Sequence, residues 1–213
     1  MDDSLLSGIH LDVAHYYNSK LTEYGATARG VDWNSETSQF QRFEELSKIL
    51  PRSENFSLND FGCGYGAFLE YAKNRLPMQL YMGNDISAEM IHTAQTRYGH
   101  LEHTHFSQSA HPASQADFTI ASGIFNLRQG RDDTSWLQYI LSTLDILNAY
   151  SKKGFSFNCL TSYSDSERMR PDLLYYADPC FLFDYCKRNY SRQIALLHDY
   201  GLYEFTILVR KDA

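Results

Sequence analysis

The chain of 213 residues has no dense block of lysine and arginine: 19 basic residues stand against 26 acidic ones, for a formal net charge of −7. Nucleic-acid affinity depends on cations that displace counterions, so this balance disfavours a nucleic-acid partner and favours a small or protein substrate. No run approaches the ~20 apolar residues needed to cross a bilayer, which argues against a membrane partner. The acidic start Met1-Asp2-Asp3-Ser4 lacks the basic opening of a secretory signal, and the expectation is a cytoplasmic protein. Only four cysteines occur, Cys63, Cys159, Cys180 and Cys186, with no Cys-x-x-Cys and no metal-like pairing with histidine. They read as reduced thiols, and no metal site is expected. There is neither an internal repeat nor a low-complexity linker, and the length suits one domain with a full core.

What is present is 43% hydrophobic and 15% aromatic, with 16 tyrosines, enough to wall an enclosed ligand pocket. The most informative stretch is Leu58-Asn59-Asp60-Phe61-Gly62-Cys63-Gly64-Tyr65-Gly66-Ala67-Phe68. It reads as a strand, a tight glycine turn and the start of a helix, whose amides would face an anionic group. Strands are expected at Phe56–Phe61, Met78–Asn84, Leu101–Ser107, Phe118–Ala121 and Phe155–Leu160, alternating with helices. A closing hairpin is expected from Gln193–His198 and Tyr203–Arg210. Before them come a short helix over Ile9–Lys20, a loop over Glu23–Ser35 and a helix from about Ser35 to Leu50, stopped by Pro51. Such alternation implies a mostly parallel sheet covered on both faces.

Asp85 follows the glycine turn at about the distance of the ribose-binding acid of nucleotide folds. A dinucleotide fingerprint is G-x-G-x-x-G, whereas the third glycine here comes one residue early and Asp60 precedes the first by two. Asp60, Gly62, Gly64 and Gly66 together resemble motif I of the class I S-adenosylmethionine-dependent methyltransferases. That resemblance implies a Rossmann-like α/β fold with seven strands, mostly parallel with the last antiparallel, and helices on both faces. It also implies S-adenosyl-L-methionine as cofactor and S-adenosyl-L-homocysteine as product.

The same resemblance assigns residues. Asp60, Gly62, Cys63, Gly64 and Gly66 would form the cofactor turn, with Cys63 read more simply as a small residue that fits. Asp85 would accept hydrogen bonds from the ribose hydroxyls, or cap the following helix, and Ile86 would pack on adenine. Ser109 and Ala110 stand where the family often has an acid and a small residue at adenine; Gln108 is an equal candidate. Ser122 and Phe125, in the stretch resembling motif IV, would lie near the donor, Phe125 equally as core. That stretch lacks the (Asn/Asp/Ser)-Pro-Pro-aromatic run of enzymes that methylate base amino groups. Arg42 would pair with the donor's carboxylate or be an exposed helix charge, and Trp33 would belong to a lid or merely anchor a loop.

Residues 1–52 are expected to form a helical cover and residues 53–213 the methyltransferase core, in one compact domain. Acceptor-selecting side chains are expected in that cover and in the Thr161–Pro179 insertion. His10, His15 and His198 are candidate bases for a hydroxyl acceptor, with none singled out. The leading expectation is methyl transfer to an oxygen or nitrogen of a small molecule. The alternatives are a donor-binding module without transfer activity, a protein or RNA methyltransferase, and a nicotinamide-dependent oxidoreductase.

Overall fold

The computed structural model describes residues 3–211. Helix α1 (Asp3–Tyr24) is followed by a 3-10 turn at Ala28–Val31 and α2 (Glu36–Ser47). The first half of the core is β1 (Phe56–Phe61), α3 (Ala67–Ala72), β2 (Met78–Asp85), α4 (Ala88–Tyr98) and β3 (Thr104–Gln108). The second is β4 (Ala116–Ala121), α5 (Asp133–Ala149), β5 (Ser151–Leu160), α6 (Pro179–Asn189), β6 (Gln193–Leu197) and β7 (Glu204–Arg210).

All seven strands form one sheet in the order β3-β2-β1-β4-β5-β7-β6, with β7 antiparallel to both β5 and β6 and every other pairing parallel. The direction of winding reverses between β1 and β4, and the crevice beyond the carboxyl ends of those strands is where open α/β sheets bind ligands. Side-chain alternation along the strands supplies two cores. Phe56, Leu58, Phe118, Ile120 and Leu208 join α2, α3 and α4 on one face. Phe155, Phe157, Phe205, Ile207 and Val209 join α5 and α6 on the other.

Helix starts follow local chemistry. Ser35, Ser87, Asp132 and Asp178 each accept from an amide of the first helical turn, and Pro179 adds a preset φ at the head of α6. Four elements are longer than expected, β2 by Asp85, β4 by Ala116 and Asp117, and α1 and β5 by more. α1 spans 22 residues rather than Ile9–Lys20, because nothing breaks it before Gly25, whose φ of +65° ends it. β5 begins at Ser151 rather than Phe155, since the backbone of its polar opening pairs with β4 at Ala116. β3 starts late, at Thr104, just after His103 takes a φ of +56°. No helix among the described residues is long and apolar enough to cross a membrane.

Candidate active site

The glycine turn leaves β1 and is tied to the end of β2. The amides of Gly62 and Cys63 donate to the Asn84 carbonyl at 2.8 and 3.0 Å, that of Gly64 to Asp85 Oδ2 at 2.9 Å, and that of Gly66 to the Cys63 carbonyl at 3.0 Å. These four turn amides are thus committed within the protein rather than aimed at an anion. Gly62, at φ +74°, lets Ile124 lie where a Cβ would stand. Gly66, at φ +85°, has the Tyr98 ring 2.9 Å from its own would-be Cβ.

Two carboxyl groups flank the turn. Asp60 is 2% exposed and accepts from the Tyr81 hydroxyl at 2.6 Å. Burial pushes its pKa up to about 7, with the nearby Asp85 adding to the rise and the Tyr81 bond opposing it. Asp85 accepts through Oδ2 from Gly64 and through Oδ1 from the Ser87 amide at 2.9 Å. Its pKa is raised by burial against the downward pull of those amides.

A cavity runs along the turn, and Gly62, Gly64, Asp85, Ile86, Ser109, Ala110 and Ser122 all line it. A smaller lobe continues past Asp60, Cys63 and Gln39. Ser122 Oγ is buried in the wall without a partner. Helix α1 supplies His10, Val13, Ala14 and Tyr17, one face at helical spacing, and the loop after it adds Val31 and Trp33. Burial lowers the pKa of His10, and His111 lowers it further. No lysine or arginine lines either space. The slot therefore combines a buried and a half-buried acid with aromatic and apolar walls, which suits a cation carrying a flat ring and would repel a pyrophosphate.

Several predicted residues lie elsewhere. Phe125 is wholly buried against Tyr139 and Phe157, its carbonyl accepting from Trp136 Nε1 at 2.8 Å, so it is core rather than pocket wall. Gly66 serves the packing against Tyr98 and lines neither the slot nor its lobe. Arg42 is neither free for a carboxylate ligand nor exposed: its Nε and Nη2 donate to Glu204 Oε1 at 2.9 and 2.6 Å and its Nη1 to the Ser38 carbonyl at 2.7 Å. Among the candidate bases only His10 faces the slot; His15 and His198 are exposed and line no part of it.

A buried relay that sequence reasoning missed holds the crossing point of the site. The Gly123 amide donates to Asn158 Oδ1 at 2.8 Å, Asn158 Nδ2 donates to Glu204 Oε2 at 2.5 Å, and Glu204 meets Arg42. The Arg42 guanidinium lies 4.0 Å from the Trp33 ring centroid, and the same indole covers Gly123, 2.5 Å from where a Cβ would stand. Asn158 lies in the largely apolar second half of β5 and Glu204 opens the largely apolar β7, the one signal that could have exposed them.

Trp33, Tyr17, Val31 and Gly123 also border a second cavity of about 550 Å3. Its far wall comes from the segment between β5 and α6, including Ser164, Arg168, Arg170 and Tyr176, and from the β6–β7 hairpin. That segment is held by the Tyr175 amide donating to the Asn126 carbonyl at 2.8 Å and by bridges from Leu174 to Leu127 and from Ala177 to Thr161.

A family profile described as "Methyltransferase domain" matches residues 59–145. "Putative methyltransferase Rv1506c" of Mycobacterium tuberculosis is 56% identical over 164 residues, 77% of this chain and 98% of that one. Among solved structures, a DhpI–SAM–HEP complex superposes with TM-score 0.66 at 18% identity, over 96% of this chain and 98% of that one. The N-methyltransferase NodS of Bradyrhizobium japonicum with S-adenosyl-L-homocysteine gives 0.65 at 14% identity, over 94% and 98%. These two share the fold with this chain.

Proposed function

This chain belongs to the class I S-adenosylmethionine-dependent methyltransferases, and we propose that within that family it methylates an oxygen or nitrogen of a small molecule. The cofactor is S-adenosyl-L-methionine, which when bound supplies an electrophilic methyl group on a sulfonium. Asp85 accepts from the ribose hydroxyls through the lone pairs that Gly64 and Ser87 leave free. Ile86 and Ala110 pack on adenine, with Ser109 at its edge. Asp60, in the lobe past the turn, faces the ammonium end, and Ser122 Oγ gains the partner it otherwise lacks. Residues 1–52 act as a cover and residues 53–213 as the core of one compact domain, a reading supported by the four α1 side chains on the slot.

The observation that carries the small-molecule reading is the second cavity. Its volume of about 550 Å3 falls in the range typical of small-molecule sites, roughly 300–1,000 Å3. It meets the donor slot across Trp33 and Gly123, so an acceptor there needs only to be held in line. The test is incubation with methyl-labelled donor and cell extract, followed by separation by size. Label is expected in products below about 1 kDa, comparable to ligands that fill such a cavity. Label confined to protein or RNA refutes the proposal.

A further inference from the structure

The second cavity holds two guanidinium groups that the donor chemistry does not use. Arg168 and Arg170 both come from the segment between β5 and α6 and line it. Arg168 lies 5.4 Å from the Tyr203 ring centroid, and only its Nε approaches a carboxylate, Asp165 at 3.8 Å. The guanidinium of Arg170 has no partner among the described residues. Its backbone alone is engaged, the amide donating to the Tyr176 hydroxyl at 2.9 Å and the carbonyl accepting from the amides of Leu173 and Leu174.

The acids on the same walls are already matched. Asp32 accepts from the Tyr16 hydroxyl at 2.7 Å and pairs with Lys20 at 3.0 Å. Glu204 is bound by Arg42 and Asn158. Within a chain of net charge −7 the cavity thus carries two positive charges, on exposed side chains at its wall, with no free negative one among the described residues. Fork-shaped donors of this kind match a carboxylate or a phosphate-type oxyanion.

The same inventory bears on the base. A hydroxyl acceptor must lose a proton to a positioned group, yet no histidine lines this cavity and both of its carboxylates are engaged. An oxyanion arrives already deprotonated. We propose that the acceptor is a small acid, a carboxylate or a phosphate-type oxyanion, bound by Arg168 and Arg170 and methylated on its own oxygen. This rests on the small-molecule reading above. The acceptor oxygen attacks the sulfonium methyl carbon; an O–C bond forms as the C–S bond breaks, and the bonding pair stays on sulfur. An anion and a sulfonium become a methyl ester and a thioether, and no proton moves.

The experiment uses the full chain, methyl-labelled S-adenosyl-L-methionine and a small-molecule extract split on an anion-exchange column at neutral pH. Label should enter products made from the retained, anionic fraction. A carboxylate source gives an ester that releases labelled methanol in mild base, whereas a phosphate-type source gives a base-stable product with phosphorus-to-methyl coupling by NMR. In the double variant Arg168→Gln/Arg170→Gln, kcat/KM for that fraction should fall about 100-fold, roughly tenfold for each charge-assisted contact. Donor affinity by calorimetry should stay unchanged, which also reports that the variant is folded. A labelled small product from the unretained fraction, or full activity in the double variant, overturns the oxyanion assignment and spares the small-molecule reading. Label only in macromolecules, or none in any fraction, overturns the small-molecule reading itself.

Discussion

With Asp60 facing the donor as proposed, donor binding should depend on pH in a definite direction. Burial holds its carboxyl near pKa 7, so the group is mostly neutral at pH 6 and mostly ionised at pH 8. A cationic donor favours the ionised form. If binding follows the ionised fraction, affinity should rise about tenfold from pH 6 to pH 8, roughly 1.4 kcal/mol. By linkage, donor binding at pH 7 should release about half a proton. Calorimetry in two buffers of different ionisation enthalpy reads both quantities. The other groups at the site are Asp85, Tyr81, Cys63 and His10. Tyr81 and Cys63 are pushed well above their ordinary values by burial, and His10 is pushed below its own, away from this window.

Asp60→Asn isolates the effect, because the amide oxygen can still accept from Tyr81 and any titration of the donor is common to both proteins. The variant should bind the donor at the weak, low-pH level throughout and lose the part of the slope between pH 6 and pH 8 that Asp60 supplies, while Asp85, which burial also raises, and the donor itself titrate alike in both proteins. The same shift governs stability. The folded state keeps a proton that the unfolded chain gives up near the ordinary carboxylate value. The ligand-free protein therefore loses stability as pH climbs towards 7, and Asp60→Asn should remove that loss. A pH-independent affinity in the natural protein, or an unchanged slope in the variant, would refute the reasoning.

Two further outcomes separate stability from binding. Phe125→Ala removes a fully buried ring and should cost about 3–5 kcal/mol in denaturant unfolding, while donor affinity below the transition stays as it was, since the ring touches core aromatics. Arg42→Met leaves Glu204 buried and unpaired and should cost about 3–5 kcal/mol. It should also raise KM for the acceptor more than for the donor, because Trp33 loses the guanidinium stacked on it. Pairing Arg42→Met with Glu204→Gln should recover most of the stability, as measured by the same unfolding curves.

The parts of the site that could be read from the chain were those encoded within a few residues. Glycine spacing, an apolar strand before it and an acid at the end of the next strand are local patterns, and β1, the turn and Asp85 fall where those patterns place them. Residues whose position depends on partners far along the chain were missed or left between two readings. Arg42 meets Glu204 across 162 positions, and Asn158 reaches Gly123 across 35. Phe125 follows the motif IV stretch closely enough to suggest the pocket, but the loop at Gly123, with φ +75°, turns its ring into the core beside Tyr139. The cover was legible as an aromatic helix and loop. The face it presents was not, because the spacing of His10, Val13, Ala14 and Tyr17 is shared by other faces of the same mixed helix.

The two cavities carry opposite charge, and with the oxyanion acceptor proposed above that opposition would give the reaction its direction. Asp60 and Asp85 make the donor slot acidic, whereas Arg168 and Arg170 make the neighbouring space basic. Trp33 and Gly123 stand between them, so a cation and an anion are drawn to adjoining places, each by groups that would repel the other. With a singly charged acceptor, transfer would cancel both charges together. The thioether product no longer attracts the acids through its sulfur, and the ester no longer engages the arginines as an oxyanion. Each ligand would thus be held more tightly before transfer than after it, and product departure would follow from the same side chains that bring the substrates in. A neutral acceptor would lack half of this asymmetry, and its product would leave the basic cavity no more readily than its substrate entered.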